Sequence, residues 1–513
     1  MSGRSIAILA IVNSAGALVA ILTSAVTAHL FGTGRALEIY FAASTLLSLI
    51  VRLTQAGQLA EIYLPGYHQI RRDRGLVDAQ RSFSVIVNWM LLGALALGVI
   101  LWLTAPWLIL ALVPGFTQAD RLTGTAMFRW LLPVLLYEIV TSLLQTLSNA
   151  ESWFGRPESV NVLASAVTLG SLLLLVRAWG IWAMIISLWC GRTVQLLGFI
   201  AMAYRMGYRH RLILHQDGFS VRRLFAQLLY TLAYVGTTQI FSFALSAGLS
   251  LLPQGLYAVF KYVQQLYSKT QSVFLRPVSV VFFTHVSSSL ARGAENARAL
   301  ARTALTRSLL IWSVIVAAVI VAGRPALAGL WGARRFGSEN LTIAVLLLIT
   351  FYALMFFANI GQISRKTAMS VGAVRDVYLY SSAVQLLSAA VVFVFVPRFG
   401  IAGAAGVVAV NMIGLAAAPT LALWRARPSL VTGYPAAMLW RWLSAITVAV
   451  LAGALVVWQS GVDPDVLSRI GEIVWAMAIA ALVSVVGLST AWLLKVPDVR
   501  AGTRLLWRVS GAS

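Results

Sequence analysis

Apolar stretches of about 20 residues recur along this chain from end to end, each long enough to cross a ~30 Å hydrocarbon core as a helix. No polar linker or soluble-domain-sized segment interrupts them. Only 11% of the 513 residues are charged, where a soluble domain carries roughly a quarter. A water-soluble enzyme of this length is excluded. The pattern implies an all-α polytopic membrane protein.

Fourteen spans are expected, at about 6–31, 36–60, 83–112, 125–148, 158–176, 180–204, 225–252, 255–290, 306–323, 341–362, 376–396, 401–423, 437–458 and 470–494. Turn residues mark several of their ends: Gly32-Thr33-Gly34, Pro114-Gly115, Pro253-Gln254-Gly255 and Pro397. Only Arg177 and Gly180 mark the division between the fifth and sixth spans. The first run is longer than the apolar region of a signal peptide and is expected to be retained as a span.

The basic residues orient the bundle. With the N-terminus in the cytoplasm, 25 of the 39 Lys+Arg fall in cytoplasmic segments and 8 in outer ones. The remaining six are assigned to the spans themselves, with Arg307 and Arg441, near span ends, counted as cytoplasmic: Arg52, Arg129, Arg192, Lys261, Lys269 and Arg276. The excess of positive charge on one side places both termini in the cytoplasm, as an even number of spans requires. A formal charge of +23 would suit nucleic acid, but a nucleic-acid binder has no use for a dozen bilayer crossings. Anionic lipid headgroups and topology control account for it instead. The lone Cys190, in an apolar run, is expected to be inert packing.

The chain also reads as duplicated. Each half opens with a tight turn between its first two spans, at Gly32-Thr33-Gly34 and at Pro253-Gln254-Gly255. Each second span then runs into a basic loop holding an Arg-Gly pair, Arg74-Gly75 or Arg292-Gly293. Six spans per half bring the second half in from the same side, so the repeat axis lies along the membrane normal. The expected organisation is two pseudo-symmetric six-helix lobes, residues 1–223 and 224–424, followed by a C-terminal helix pair and basic tail, 425–513.

Charges inside spans cost roughly 2.5–3.5 kcal/mol each at a helix centre on insertion scales, so they face protein or a wet cavity. In the eighth span Lys261, Gln265, Lys269, Ser272 and Arg276 fall within about 80° of arc at 100° per residue. Val259, Val263, Leu266, Val273 and Val280 lie opposite. Two readings fit this stripe: Lys261 and Arg276 snorkel from near the ends and leave Lys269 alone to explain, or the whole stripe lines a hydrated cavity and binds an anion. Arg52, deep in the second span, is a further cavity candidate, nearly on one face with Glu38 fourteen residues before it. Glu38 is either a solvated carboxylate or a cavity group. Glu138, in the fourth span, is either a neutral buried acid or a proton or cation site. Arg192 reads as a packing or snorkelling residue. His29 and His285 lack partners at metal-ligand spacing, so no metal site is expected.

No enzyme constellation is present: no Gly-x-Ser-x-Gly elbow, no P-loop and no His-Glu-x-x-His. No cofactor is expected, and without a nucleotide-binding domain any driving force would come from the membrane potential or an ion gradient.

Three segments resemble the MurJ/MviN lipid II flippases of the multidrug/oligosaccharidyl-lipid/polysaccharide exporter superfamily. They are Phe31-Gly32-Thr33-Gly34 followed by Glu38; Ala105-Pro106-Trp107 with Pro114-Gly115-Phe116; and Tyr262 to Gly293, ending Leu290-Ala291-Arg292-Gly293. The resemblance implies two six-helix lobes around a central cationic cavity, with the last helix pair helping to form a groove for a lipid tail. It also implies transport of an undecaprenyl-diphosphate-linked saccharide to the outer leaflet by alternating access, for peptidoglycan or polysaccharide biosynthesis. By position, Glu38 corresponds to the family's acidic residue of helix 2, and Arg52 to one of an arginine pair whose other member here is Val51.

The chain departs from the family pattern in two places. No Lys or Arg lies between Arg4 and Arg35, and Gln265 stands where the family has an arginine, with Lys261 and Lys269 one turn to either side. The expected substrate is therefore lipid II or a related lipid-linked oligosaccharide, bound by Arg52, Lys261, Gln265, Lys269 and Arg276, with Glu38 and Glu138 as coupling candidates. The expected partners are that lipid, anionic bilayer lipids and cell-envelope biosynthesis proteins, and no nucleic acid. The rivals are an organic-cation exporter of the same superfamily, a membrane-embedded glycosyl- or phosphotransferase, and a non-transporting scaffold of cell-wall assembly.

Overall fold

The computed structural model describes residues 3–54, 56–151, 153, 155–216, 221–271, 286, 293–332, 336–431, 436–461 and 468–494. Among these residues the regular structure is entirely helical. The helices are α1 (Gly3–Phe31), α2 (Arg35–Thr54), α3 (Ala56–Arg74), α4 (Leu76–Leu112), α5 (Gln118–Leu131), α6 (Pro133–Ala150), α7 (Gly155–Trp179), α8 (Ala183–Arg205) and α9 (Val221–Leu249). They continue as α10 (256–271), α11 (Ala294–Trp331), α12 (Ser338–Ser370), α13 (Val374–Ala426), α14 (Ala436–Ser460) and α15 (Arg469–Leu493).

Nine helical stretches among the described residues are long and apolar enough to cross a bilayer. Two of them hold two crossings each. The stretch Arg156–Arg205 turns at Gly180, where α7 meets α8, and α13 breaks at Gly400, where φ is 59° and ψ is −137°. A side chain there would be strained, which is why glycine ends one helix and lets the next begin. The nine stretches thus account for eleven of the fourteen expected spans. Of the other three, 6–31 contains the shorter apolar helix Ala15–Phe31, 225–252 falls on α9, and 255–290 runs from α10 into residues outside the description.

Helix covers the second span over Arg35–Thr54 and, past residue 55, which lies outside the described residues, is present again beyond the expected end at residue 60, as far as Arg74 in α3. Its Tyr63 and Tyr67 are buried, and it packs on α4 and α6, so tertiary burial rather than lipid stabilises this less apolar segment. The fourth span begins earlier than expected, at Gln118, because Thr117 and Asp120 form a reciprocal capping box. It breaks between α5 and α6 at Pro133, whose missing N–H removes a ladder bond.

Two compact units are distinguished by their internal packing. The first comprises Met1–Thr23 and Gly34–Tyr257, the second Ser24–Thr33 and Ala258–Ser513. In the first, α2 packs on α5 and α9, α7 pairs with α8, and α6 bridges α3, α4 and α8. In the second, α12 pairs with α13 and with α11, and α14 and α15 pack on each other and on α11. The α11–α14–α15 contact is built from Ala317, Ala322, Ala449, Ala476, Ile479 and Val483. Small residues of this kind let helix backbones approach closely where lipid provides no hydrophobic drive. Elsewhere large apolar side chains point outward, among them Leu103, Leu174 and Leu451, as expected for surfaces bathed in acyl chains.

Candidate functional site

The polar stripe of the eighth span falls on α10. Tyr262, Val263 and Tyr267 are buried on one side of this helix, whereas Lys261 is half-buried and Gln265 and Lys269 are exposed. An aromatic cluster fixes the rotation: Phe260 meets Phe351 at 5.5 Å between ring centroids, Tyr267 meets Phe351 at 5.6 Å and Tyr352 at 5.8 Å, and Trp312 meets Tyr352 at 5.8 Å. Tyr352 also donates to Thr270 Oγ1 at 2.6 Å. At the other end of the described stripe Tyr262 lies 5.4 Å from Trp331 and 5.7 Å from Phe336, and donates to the Gly32 carbonyl at 3.3 Å. With these rings packed into the second unit, Lys261, Gln265 and Lys269 turn away from its interior. The two lysines stand eight residues apart, about 12 Å along the axis. Arg276 and Ser272 lie outside the described residues. Arg52 sits exposed in the last turn of α2.

Glu38 is placed quite differently. Its carboxylate is buried and both oxygens are engaged: Oε2 accepts from Arg35 Nη1 at 3.0 Å and Oε1 accepts from the Gly255 N–H at 2.8 Å. Gly255 opens α10, so the carboxylate meets the positive end of a helix dipole. Arg35 reaches on to Asp120, 3.4 Å from Nε to Oδ2, and lies over the Phe116 ring at 4.5 Å. Phe116 meets Tyr257 edge-on at 6.0 Å. Gly115 donates to Ser250 Oγ at 3.2 Å and lies so close to the Ser250 carbonyl that any Cβ would collide with it. The start of α2, the turn after α4 and the turn before α10 therefore form one knot. Arg35, Asp120 and Ser250 were not expected there. The i,i+3 spacing of Arg35 and Glu38 is the one local signal that could have pointed to them.

Glu138 is ion-paired with Arg192 across α6 and α8, each side chain about a quarter exposed. Arg192 Nη1 donates to Gln195 Oε1 at 2.6 Å, Gln195 donates to Asn161 Oδ1 at 2.8 Å, and Asn161 donates to Glu158 at 3.3 Å. Arg192, expected to pack or snorkel, is thus the partner of Glu138. This ladder ties α6, α7 and α8 together.

The family model for "Lipid II flippase MurJ" matches residues 27–468. The chain belongs to the MurJ lipid II flippase family. Among solved structures, a lipid II flippase MurJ in an inward closed conformation is similar with a TM-score of 0.75 at 15% identity, over 94% of this chain and 98% of that one. An inward-facing multidrug resistance MATE family transporter of the MOP superfamily is similar with a TM-score of 0.61 at 15% identity, over 82% of this chain and 98% of that one. A MOP superfamily transporter from Pyrococcus furiosus, described as having a binding pocket of reversed polarity, has a TM-score of 0.56 at 15% identity, over 83% and 95%. At such identity the structural likenesses establish the fold. Family membership makes the chain a multi-pass membrane transporter of peptidoglycan synthesis, not an enzyme.

Proposed function

We propose that this MurJ-family chain flips an undecaprenyl-diphosphate-linked saccharide, lipid II or a close relative, from the cytoplasmic to the outer leaflet of the bacterial cytoplasmic membrane. Its two lobes, 1–223 and 224–424, would alternate access to the substrate while both chain termini stay in the cytoplasm. The observation that carries the reading is the face of α10, where Lys261, Gln265 and Lys269 turn away from the packed interior.

A diphosphate cannot enter hydrocarbon unaided, since desolvating even one ion costs several kcal/mol. Lysine ammonium groups spaced along one helix face would replace water around the phosphates while the prenyl tail stays in lipid. Arg52 and Arg276 are proposed as further phosphate ligands. The membrane potential, about 2.3 kcal/mol per charge per 100 mV for a full crossing, would bias the cycle.

The bonds of Glu38 support a positioning role for this residue: within the first compact unit it ties the start of α2 to the turn before α10, and loosening that turn would require Arg35 and Gly255 to find other partners. The organic-cation reading is disfavoured because the carboxylates proposed to line a cavity, Glu38 and Glu138, are each neutralised by an arginine.

The test is a flipping assay in proteoliposomes with the Lys261→Gln/Lys269→Gln variant. Two lost charge-assisted hydrogen bonds at about 1.5–3 kcal/mol each predict a fall of roughly a hundredfold or more. Wild-type flipping by a well-expressed double variant would remove the site.

A further inference from the structure

After α8 the chain runs as an extended strap, residues 207–216, with no helix or strand of its own. Side chains of α4 fasten it through its backbone. Asn88 Nδ2 donates to the carbonyls of Arg211 and Ile213, each at 2.8 Å, and Trp89 Nε1 donates to the Leu214 carbonyl at 3.0 Å. Gln216 Nε2 returns a bond to the Asp78 carbonyl at 3.0 Å. Tyr208 is buried beneath the strap, its hydroxyl 3.0 Å from Ser84 Oγ and 2.9 Å from His210 Nδ1, and burial pushes its pKa up to about 12.

Along the fastened strap Arg205, Arg209 and Arg211 are exposed, with Tyr204 just before them and Leu212 and Leu214 just after, all exposed as well. Leu212 is 90% exposed, more than any other large apolar side chain described. Between 204 and 216 the sequence holds no Asp or Glu. A leucine displayed among arginines is unfavourable in bulk water. The combination suits the headgroup boundary of a bilayer, where guanidinium groups meet phosphates and apolar side chains enter the acyl region. Placement agrees: the strap leaves the membrane-crossing α8 at Arg205, and Trp89, 41% exposed, lies on the membrane-crossing α4 beside it. Exposed tryptophan is favoured at that depth.

We propose that the 204–216 strap is a docking surface for anionic phospholipid headgroups, with Arg205, Arg209 and Arg211 on the phosphates and Leu212 and Leu214 at the acyl boundary. The occupant is the bilayer rather than an acidic protein because the strap continues one span and is tied to another. This docking is independent of which lipid the transporter carries.

The test uses the full chain with Cys190→Ala and Leu212→Cys, labelled at position 212 with a polarity-sensitive fluorophore and placed in nanodiscs. Both leaflets are then alike, so orientation plays no part. In discs containing phosphatidylglycerol the emission should shift to the blue and be resistant to aqueous quencher. In pure phosphatidylcholine, or after Arg205→Gln/Arg209→Gln/Arg211→Gln, the probe should be quenched several-fold more. At about fivefold in binding per arginine, 0.5 M salt should also weaken the protection. Equal protection in both lipids would show apolar docking alone, and a probe open to water in phosphatidylglycerol would leave the face to a soluble partner. Either result overturns the proposal. An unchanged melting temperature in the triple variant separates lipid binding from loss of fold.

Discussion

The two turn-helix junctions that open the proposed halves handle charge in opposite ways. At the start of α2, Arg35, Glu38 and Asp120 neutralise one another and the Gly255 N–H takes the remaining carboxylate oxygen. On α10, Lys261 and Lys269 turn away from a wall of packed aromatic rings. The first arrangement ties turns together by neutralised charge; the second places lysines on the side of the helix opposite its packed rings, which is where the proposed function puts the substrate.

Variants break or sharpen that contrast. Lys261→Gln/Lys269→Gln should have the largest effect, abolishing flipping while the stability of the full chain in detergent, read by thermal unfolding, changes by less than about 1 kcal/mol. A comparable loss of stability would make the lysines structural. Gly115→Ala should act the other way. A methyl group driven toward the Ser250 carbonyl is expected to cost about 1–3 kcal/mol, read as a lower melting temperature. Glu38→Gln keeps shape and the acceptor for Gly255 but removes the charge opposite Arg35. Because Arg35 is partly exposed and retains Asp120, roughly 1–2 kcal/mol is expected, again seen in thermal unfolding. Glu138→Gln, in a pair about a quarter exposed on both sides, should shift stability least, by about 1 kcal/mol or less.

The spans were legible because each is encoded locally: an apolar run of the right length, closed by glycine or proline, needs no knowledge of its neighbours. The breaks at Gly180 and Gly400 follow from residues that single out the turn. The helical stretch of α3 beyond residue 60 was not legible, because it is less apolar and is held by Tyr63 and Tyr67 against other helices. The same reason hides the charge partners. Glu138 finds Arg192 on another helix, and Glu38 finds Gly255 far along the chain, through packing that no local spacing announces. The α10 stripe was visible as periodicity alone, and its exposure follows once the rings of Tyr262 and Tyr267 are seen to be buried.

The central claim is that the α10 lysines hold a lipid diphosphate, and native mass spectrometry of the gently extracted full chain tests it most directly. Wild-type protein should retain a prenyl-diphosphate-linked sugar, and Lys261→Gln/Lys269→Gln should lose it while remaining folded. Equal retention by both proteins, or a bound organic cation in place of the lipid, would contradict the account.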